Sequence, residues 1–192
     1  MIPLVLLPGH MCDARLWAPQ LAALSGTRTL HLPEIASADR MEALAAAVLR
    51  DAPPRFALAG LSMGGMVGQW LGAYAPDRVE KLVLSTTNPY YADKAPWADR
   101  IKFVREKGLE ALVEPNMQRW FTEGFRSKAP AVMDRMKAMF LATDPEGYVA
   151  SCEAIRDMDF RDSNPRITAP TLVIVGSQDA ATPPAAGEAI AK

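Results

Sequence analysis

The chain has 192 residues, 49% hydrophobic and 22% charged, and its 21 basic against 22 acidic residues leave a net charge of -1. That balance excludes the basic footprint of a nucleic-acid or anionic-membrane binder, and two cysteines, Cys12 and Cys152, exclude a disulfide framework or a Cys/His metal cluster. The length suits one domain with a sizeable core and an inserted subdomain; the apolar opening is too short to span a bilayer and lacks the marks of a secretory signal, so a cytoplasmic, reducing setting is expected.

In chain order, residues 2–7 form a short apolar run closed by Pro8-Gly9, which predicts a buried strand. Residues 14–24 carry Leu16, Trp17, Leu21 and Leu24 at helical spacing, with Asp13 placed to cap them. A second strand is predicted over 27–32 and a helix over 39–50, the latter ended by Pro53-Pro54. A third strand over 56–61 leads into a helix over 64–75, and a fourth strand covers 79–84. Residues 171–175 supply a fifth, and a last helix starts near Ala185. Strands apolar on both faces, alternating with helices, predict an α/β fold whose parallel sheet is covered on both sides.

Residues 88–166 break the rhythm. They hold most of the methionines and aromatics, no strand-like run, and several helical periods, one opened by Asp144-Pro145 as cap and first residue. A crossover needs far fewer residues. The expected organisation is therefore a core of residues 1–87 and 167–192 with a helical lid over 88–166.

Gly60-Leu61-Ser62-Met63-Gly64 is a G-x-S-x-G sequence set between an apolar strand and a helix. That context is what a nucleophile elbow needs: a turn too tight for side chains beside the serine, which pushes its hydroxyl beyond the sheet. Attack on an acyl carbon creates an oxyanion that two amide donors must hold. The backbone N–H of Met63 is one candidate, and the loop after the first strand supplies another from His10 or Met11, because Gly9 permits a sharp turn. A late strand, a glycine turn and Asp179 supply the acid that would orient a histidine. The chain's two histidines, His10 and His31, both precede Ser62. His31 sits inside the second predicted strand as a structural imidazole, and a role as base for His10 is the weaker reading. No metal or cofactor is called for.

On these residues the chain resembles the α/β-hydrolase superfamily. From Gly60 to Pro184 it is similar to the 3-oxoadipate enol-lactonases of aromatic catabolism, through Gly60 to Gly72, Ala75 to Leu84, Ala142 to Tyr148, Ala154 to Asp159 and Ala169 to Ile174. The resemblance implies Ser62 as nucleophile, Asp179 as acid, and the amides of Met63 and His10 as oxyanion donors. It further implies Trp97 beside the pocket and Arg156 as a contact for a substrate carboxylate. The first 59 residues look more like another hydrolase branch.

Similar enzymes continue past the acid to a last strand, the catalytic histidine and a helix, and no residue here maps onto that histidine. The 192-residue chain is therefore expected to hydrolyse esters several orders of magnitude more slowly than a full-length relative. Residues 171–175 are expected to form an exposed edge able to pair with another copy. The reading is a hydrolase for a small ester or lactone. A general carboxylesterase of the same fold and a non-catalytic binding protein are the alternatives.

Overall fold

A computed structural model describes residues 1–35 and 37–192. Its elements are β1 (Leu4–Leu7), α1 (Ala18–Leu24), β2 (Leu30–His31), α2 (Met41–Asp51), β3 (Phe56–Leu61), α3 (Met63–Tyr74) and β4 (Val79–Ser85), followed by α4 (Ala95–Lys107), α5 (Val113–Trp120), α6 (Glu123–Lys128), α7 (Pro130–Leu141), α8 (Pro145–Asp157), β5 (Thr171–Ile174) and α9 (Pro184–Ile190). All strand pairs are parallel, in the order β2-β1-β3-β4-β5.

This order places the site. From β1 the chain moves outward to β2, then returns to add β3 on the other side of β1. Loops leaving β1 and β3 diverge, and a crevice opens beyond the carboxyl ends of the two strands. Among the described residues, the non-glycine residues with positive φ are Met11 (61°), Ser62 (51°) and Thr86 (49°), each in the loop that follows β1, β3 or β4. Such backbone costs about 1–3 kcal/mol per residue and persists only where the surroundings hold it.

The core lies between the sheet and α2 and α3, with Val5, Leu7, Phe56, Leu58, Leu82 and Leu84 buried against Leu44, Val48, Val67 and Leu71. Gly68 brings α3 against Leu58 and Leu84. Because Val173 lies beside Leu84, and α9 rests on Val173 and Val175 through Gly187, α9 shares that face. The other face is barer. Cover on both sides, expected from the apolar run, fails at β5: Leu172 and Ile174 are 57% and 45% exposed.

Helices α4, α5, α7 and α8 build a second core from Ile101, Val104, Met117, Met136, Phe140 and Tyr148, which Met11 joins from the loop after β1. Asp144 caps α8 by accepting from the Gly147 N–H at 2.7 Å, as the Asp-Pro pair predicted. Both ends of this helical segment are pinned to α3 by fully buried Gln69: its Nε2 donates to the Asn88 carbonyl at 3.2 Å and its Oε1 accepts from Asn164 Nδ2 at 2.9 Å. The two stems also meet each other, since the Phe160 N–H donates to the Pro89 carbonyl at 2.9 Å.

Candidate active site

Ser62 stands between the last residue of β3 and the first of α3, with φ 51° and ψ -113°. Three main-chain ties hold this conformation: the Ser62 N–H donates to the Ser85 carbonyl at 2.9 Å, the Met66 N–H to the Ser62 carbonyl at 3.0 Å, and the Gly64 N–H to the Pro8 carbonyl at 3.1 Å. Thr87 Oγ1 adds a fourth, donating to the Ser62 carbonyl at 2.8 Å. The glycines of the motif are needed because the main chain leaves no room for a Cβ. One on Gly60 would lie 2.6 Å from the Gly65 nitrogen, and one on Gly64 2.6 Å from the Pro8 carbonyl oxygen. Ser62 remains partly exposed, and its Oγ hydrogen-bonds no described residue.

The loop after β1 folds over the serine through a turn in which the Cys12 N–H donates to the Gly9 carbonyl at 3.0 Å. Gly9 lies close, since a Cβ there would be 3.5 Å from Ser62 Cβ. The main-chain N–H groups of His10 and Met63 find no acceptor among the described residues. Two unused donors therefore flank the serine, with the amino end of α3 adding its dipole.

The His10 ring stacks on Tyr148, centroids 4.7 Å apart and planes 7° from parallel, and lies 6.3 Å from Trp97. Its Nε2 is buried without a partner among the described residues. Burial, then the nearby Arg100 charge, lowers its pKa from 6.5 to about 3. An imidazole that weakly basic forms a wall, not a general base. The sign of its pH effect follows. The folded state keeps His10 neutral while the unfolded chain takes up a proton below pH 6.5, so stability falls as pH drops from 6.5 toward 3. Urea unfolding should show that His10→Gln removes about 2 kcal/mol of the stability loss between pH 7 and 5, a range above the carboxylate titrations.

Asp179 lies past β5, its Oδ1 accepting from the N–H groups of Ala181 at 2.7 Å and Thr182 at 3.0 Å, and its Oδ2 from Thr182 Oγ1 at 3.0 Å. These three bonds fix the carboxylate and leave lone-pair capacity for one further donor. Tyr91 lies close enough to feel its charge. Its phenol is raised above its ordinary value first by burial, with the Asp179 charge adding and Arg119, Asn88 and Arg100 opposing. Tyr91 meets Trp97 edge-on at 5.2 Å. Neither His10 nor His31 hydrogen-bonds Asp179.

Trp97 thus packs among His10, Tyr91 and Arg100, whose guanidinium carbon lies 5.8 Å from its ring centre. The Arg156 guanidinium is taken by the neighbouring Asp157 at 2.6 and 3.1 Å. The cation beside the aromatic cluster is Arg100, which the sequence reading did not single out. It donates to the Tyr148 hydroxyl at 2.9 Å and to Asn116 Oδ1 at 2.9 Å, and no carboxylate among the described residues pairs with it. The one available signal was its position one turn after Trp97. Both thiols are poor nucleophiles, since burial pushes Cys12 up to about 12 and Cys152 up to about 11.

A cavity of about 500 Å³ adjoins the serine, its wall including His10 and Met63 but not Ser62 itself. Among the described residues no group of three or more His, Cys, Asp or Glu side chains is placed to hold a metal ion, and no helix is long and apolar enough to cross a membrane.

A partly exposed serine on a strained strand-to-helix turn, at the crevice of a parallel sheet, defines an α/β hydrolase. The family model for the alpha/beta hydrolase fold matches residues 52–192, and the chain belongs to that family. It is 35% identical over 135 residues to 3-oxoadipate enol-lactonase 2 of Acinetobacter baylyi, covering 70% of this chain and 51% of that protein. The chain spans about half the length of the two Acinetobacter baylyi enol-lactonases it matches, 51% and 48%. It is 28% identical to the pimeloyl-[acyl-carrier protein] methyl ester esterase of Klebsiella pneumoniae, over 94% of this chain and 76% of that one. The crystal structure of the enol-lactonase from Burkholderia xenovorans LB400 superposes with a TM-score of 0.92 at 32% identity, covering all of this chain (100%) and 79% of that one. The relatives are hydrolases of ester or lactone bonds.

Proposed function

We propose that the chain hydrolyses a carboxylic ester or lactone through an acyl-serine on Ser62, with 3-oxoadipate enol-lactone as the favoured substrate. The observation that carries this reading is the positive-φ serine flanked by two main-chain donors without acceptors. Ser62 Oγ attacks the carbonyl carbon, and the N–H groups of Met63 and His10 hold the oxyanion. The carbon–oxygen bond of the ring or ester then breaks, the leaving oxygen takes the proton that Ser62 Oγ gave up, and water adds to the acyl carbon and returns a proton to Ser62 as the acid departs. Each oxyanion donor of this kind contributes about 3 kcal/mol. Asp179 would orient the base, which neither histidine of these 192 residues supplies. A binding protein that keeps the pocket is the second reading, and measured turnover separates the two. Residues 88–166 act as the lid, and a cytoplasmic setting suits the two free thiols.

Arg100, not Arg156, is the group suited to a substrate carboxylate, because it faces the aromatic cluster without an acidic partner among the described residues. Arg100→Leu should raise KM for 4-nitrophenyl hydrogen glutarate by about 10–100-fold, the loss of a charge-assisted hydrogen bond. KM for the uncharged 4-nitrophenyl butyrate should stay within about twofold, a split that general loss of structure would not produce.

The bare edge of β5 is proposed to pair with a second copy, since Thr171, Leu172, Val173 and Ile174 carry no charge to block it. Leu172→Lys should lower the associated fraction in sedimentation at raised protein concentration; an unchanged fraction would remove this role.

A further inference from the structure

We propose that the cavity beside the oxyanion donors binds an uncharged, mainly apolar limb of the substrate, distinct from the Arg100 side of the site. The proposal rests on the acyl-serine reading for its chemistry, but its ligand class follows from the walls. The cavity runs outward from His10 and Met63 between the loop after β1, the loop after β2 and the start of α8. Its volume of about 500 Å³ falls in the range of small-molecule sites. Met11, Cys12, Leu32, Ile35 and Met63 give it apolar walls, and the Cys12 thiol stays protonated.

Its charges point the same way. Asp13 is bound to Arg15 at 2.6 Å, which leaves Glu34 on the rim without a salt-bridge partner among the described residues. Nothing in the lining offers an anion a free cation, and Glu34 repels one. The polar centre of an ester would lie at the end of the cavity lined by His10 and Met63, beside their main-chain N–H groups. A substrate with a carboxylate toward Arg100 and a neutral hydrocarbon limb in this cavity satisfies both walls.

The test is calorimetric titration with n-alkylboronic acids from propyl to octyl. The expected result is an affinity gain of about fourfold per methylene until the cavity is filled. Thr143→Trp, from the rim between α7 and α8, should flatten the gain for the longer chains, and Leu32→Ala should extend it, both in chains with unchanged circular dichroism. Affinity independent of chain length, or a gain that neither variant alters, overturns the proposal. Ser62→Ala keeps the two readings apart: it should weaken every boronate by a common factor and leave the gain per methylene intact. If it weakens none while the gain persists, the acyl-serine reading fails and the cavity assignment stands.

Discussion

Replacing Ser62 with alanine is expected to eliminate covalent capture of a fluorophosphonate by the folded chain and to reduce ester turnover to what binding and the oxyanion donors alone provide. On the proposed reading this hydroxyl is the group that attacks the acyl carbon. It is partly exposed at a backbone conformation of φ 51°, whereas the two thiols are held protonated by burial. Members of a catalytic triad act as a unit, so removing the serine costs most when its base is present. With no histidine on Asp179, the drop in turnover will be smaller than in a complete triad, and adduct formation is the sensitive readout. The hydroxyl is small, and Ser62→Ala should leave urea stability within about 1 kcal/mol. Equal capture by Ser62→Ala and the parent chain would place the reactive group elsewhere.

The second large effect is steric. Gly64→Val would set a branched side chain against the end of β1, where even a Cβ lies 2.6 Å from the Pro8 carbonyl oxygen. Main chain cannot step aside as a flexible side chain does. The hydrogen bond from the Gly64 N–H to Pro8, which holds the donor loop against the elbow, would break with it. A loss of about 3 kcal/mol or more in urea unfolding is expected, at the upper end for overpacking. Gly26→Ala is the control: nothing lies within 4 Å of a Cβ there, and stability should be unchanged. Equal behaviour of the two variants would mean that the elbow is looser than its contacts indicate.

The elbow, the alternation of strands and helices in the core and the caps at Asp13 and Asp144 were readable because each is a local pattern. A motif between a strand and a helix, or Asp-Pro before a helical period, carries its own geometry. β2 was not readable in the same way: residues 27–32 look like a strand, yet only Leu30–His31 pair, because an edge position offers one neighbour. Likewise the edge position of residues 171–175 was expected and β5 does end the sheet, but the apolar run also reads as covered on both faces, while cover depends on what packs against it, and at β5 little does. Arg100 and Arg156 show the limit most clearly. Both are arginines on helices, and only the fold reveals that one is neutralised by Asp157 while the other meets Trp97, Tyr148 and Asn116.

The direct measurement is acid-quenched mass spectrometry of the chain after exposure to 4-nitrophenyl acetate. Deacylation needs a base to activate water, so an acetyl group should accumulate on the peptide carrying Ser62 in folded protein and stay absent from urea-denatured protein. An unmodified Ser62 peptide, or acetyl groups confined to lysines and present equally after denaturation, would contradict the acyl-serine account.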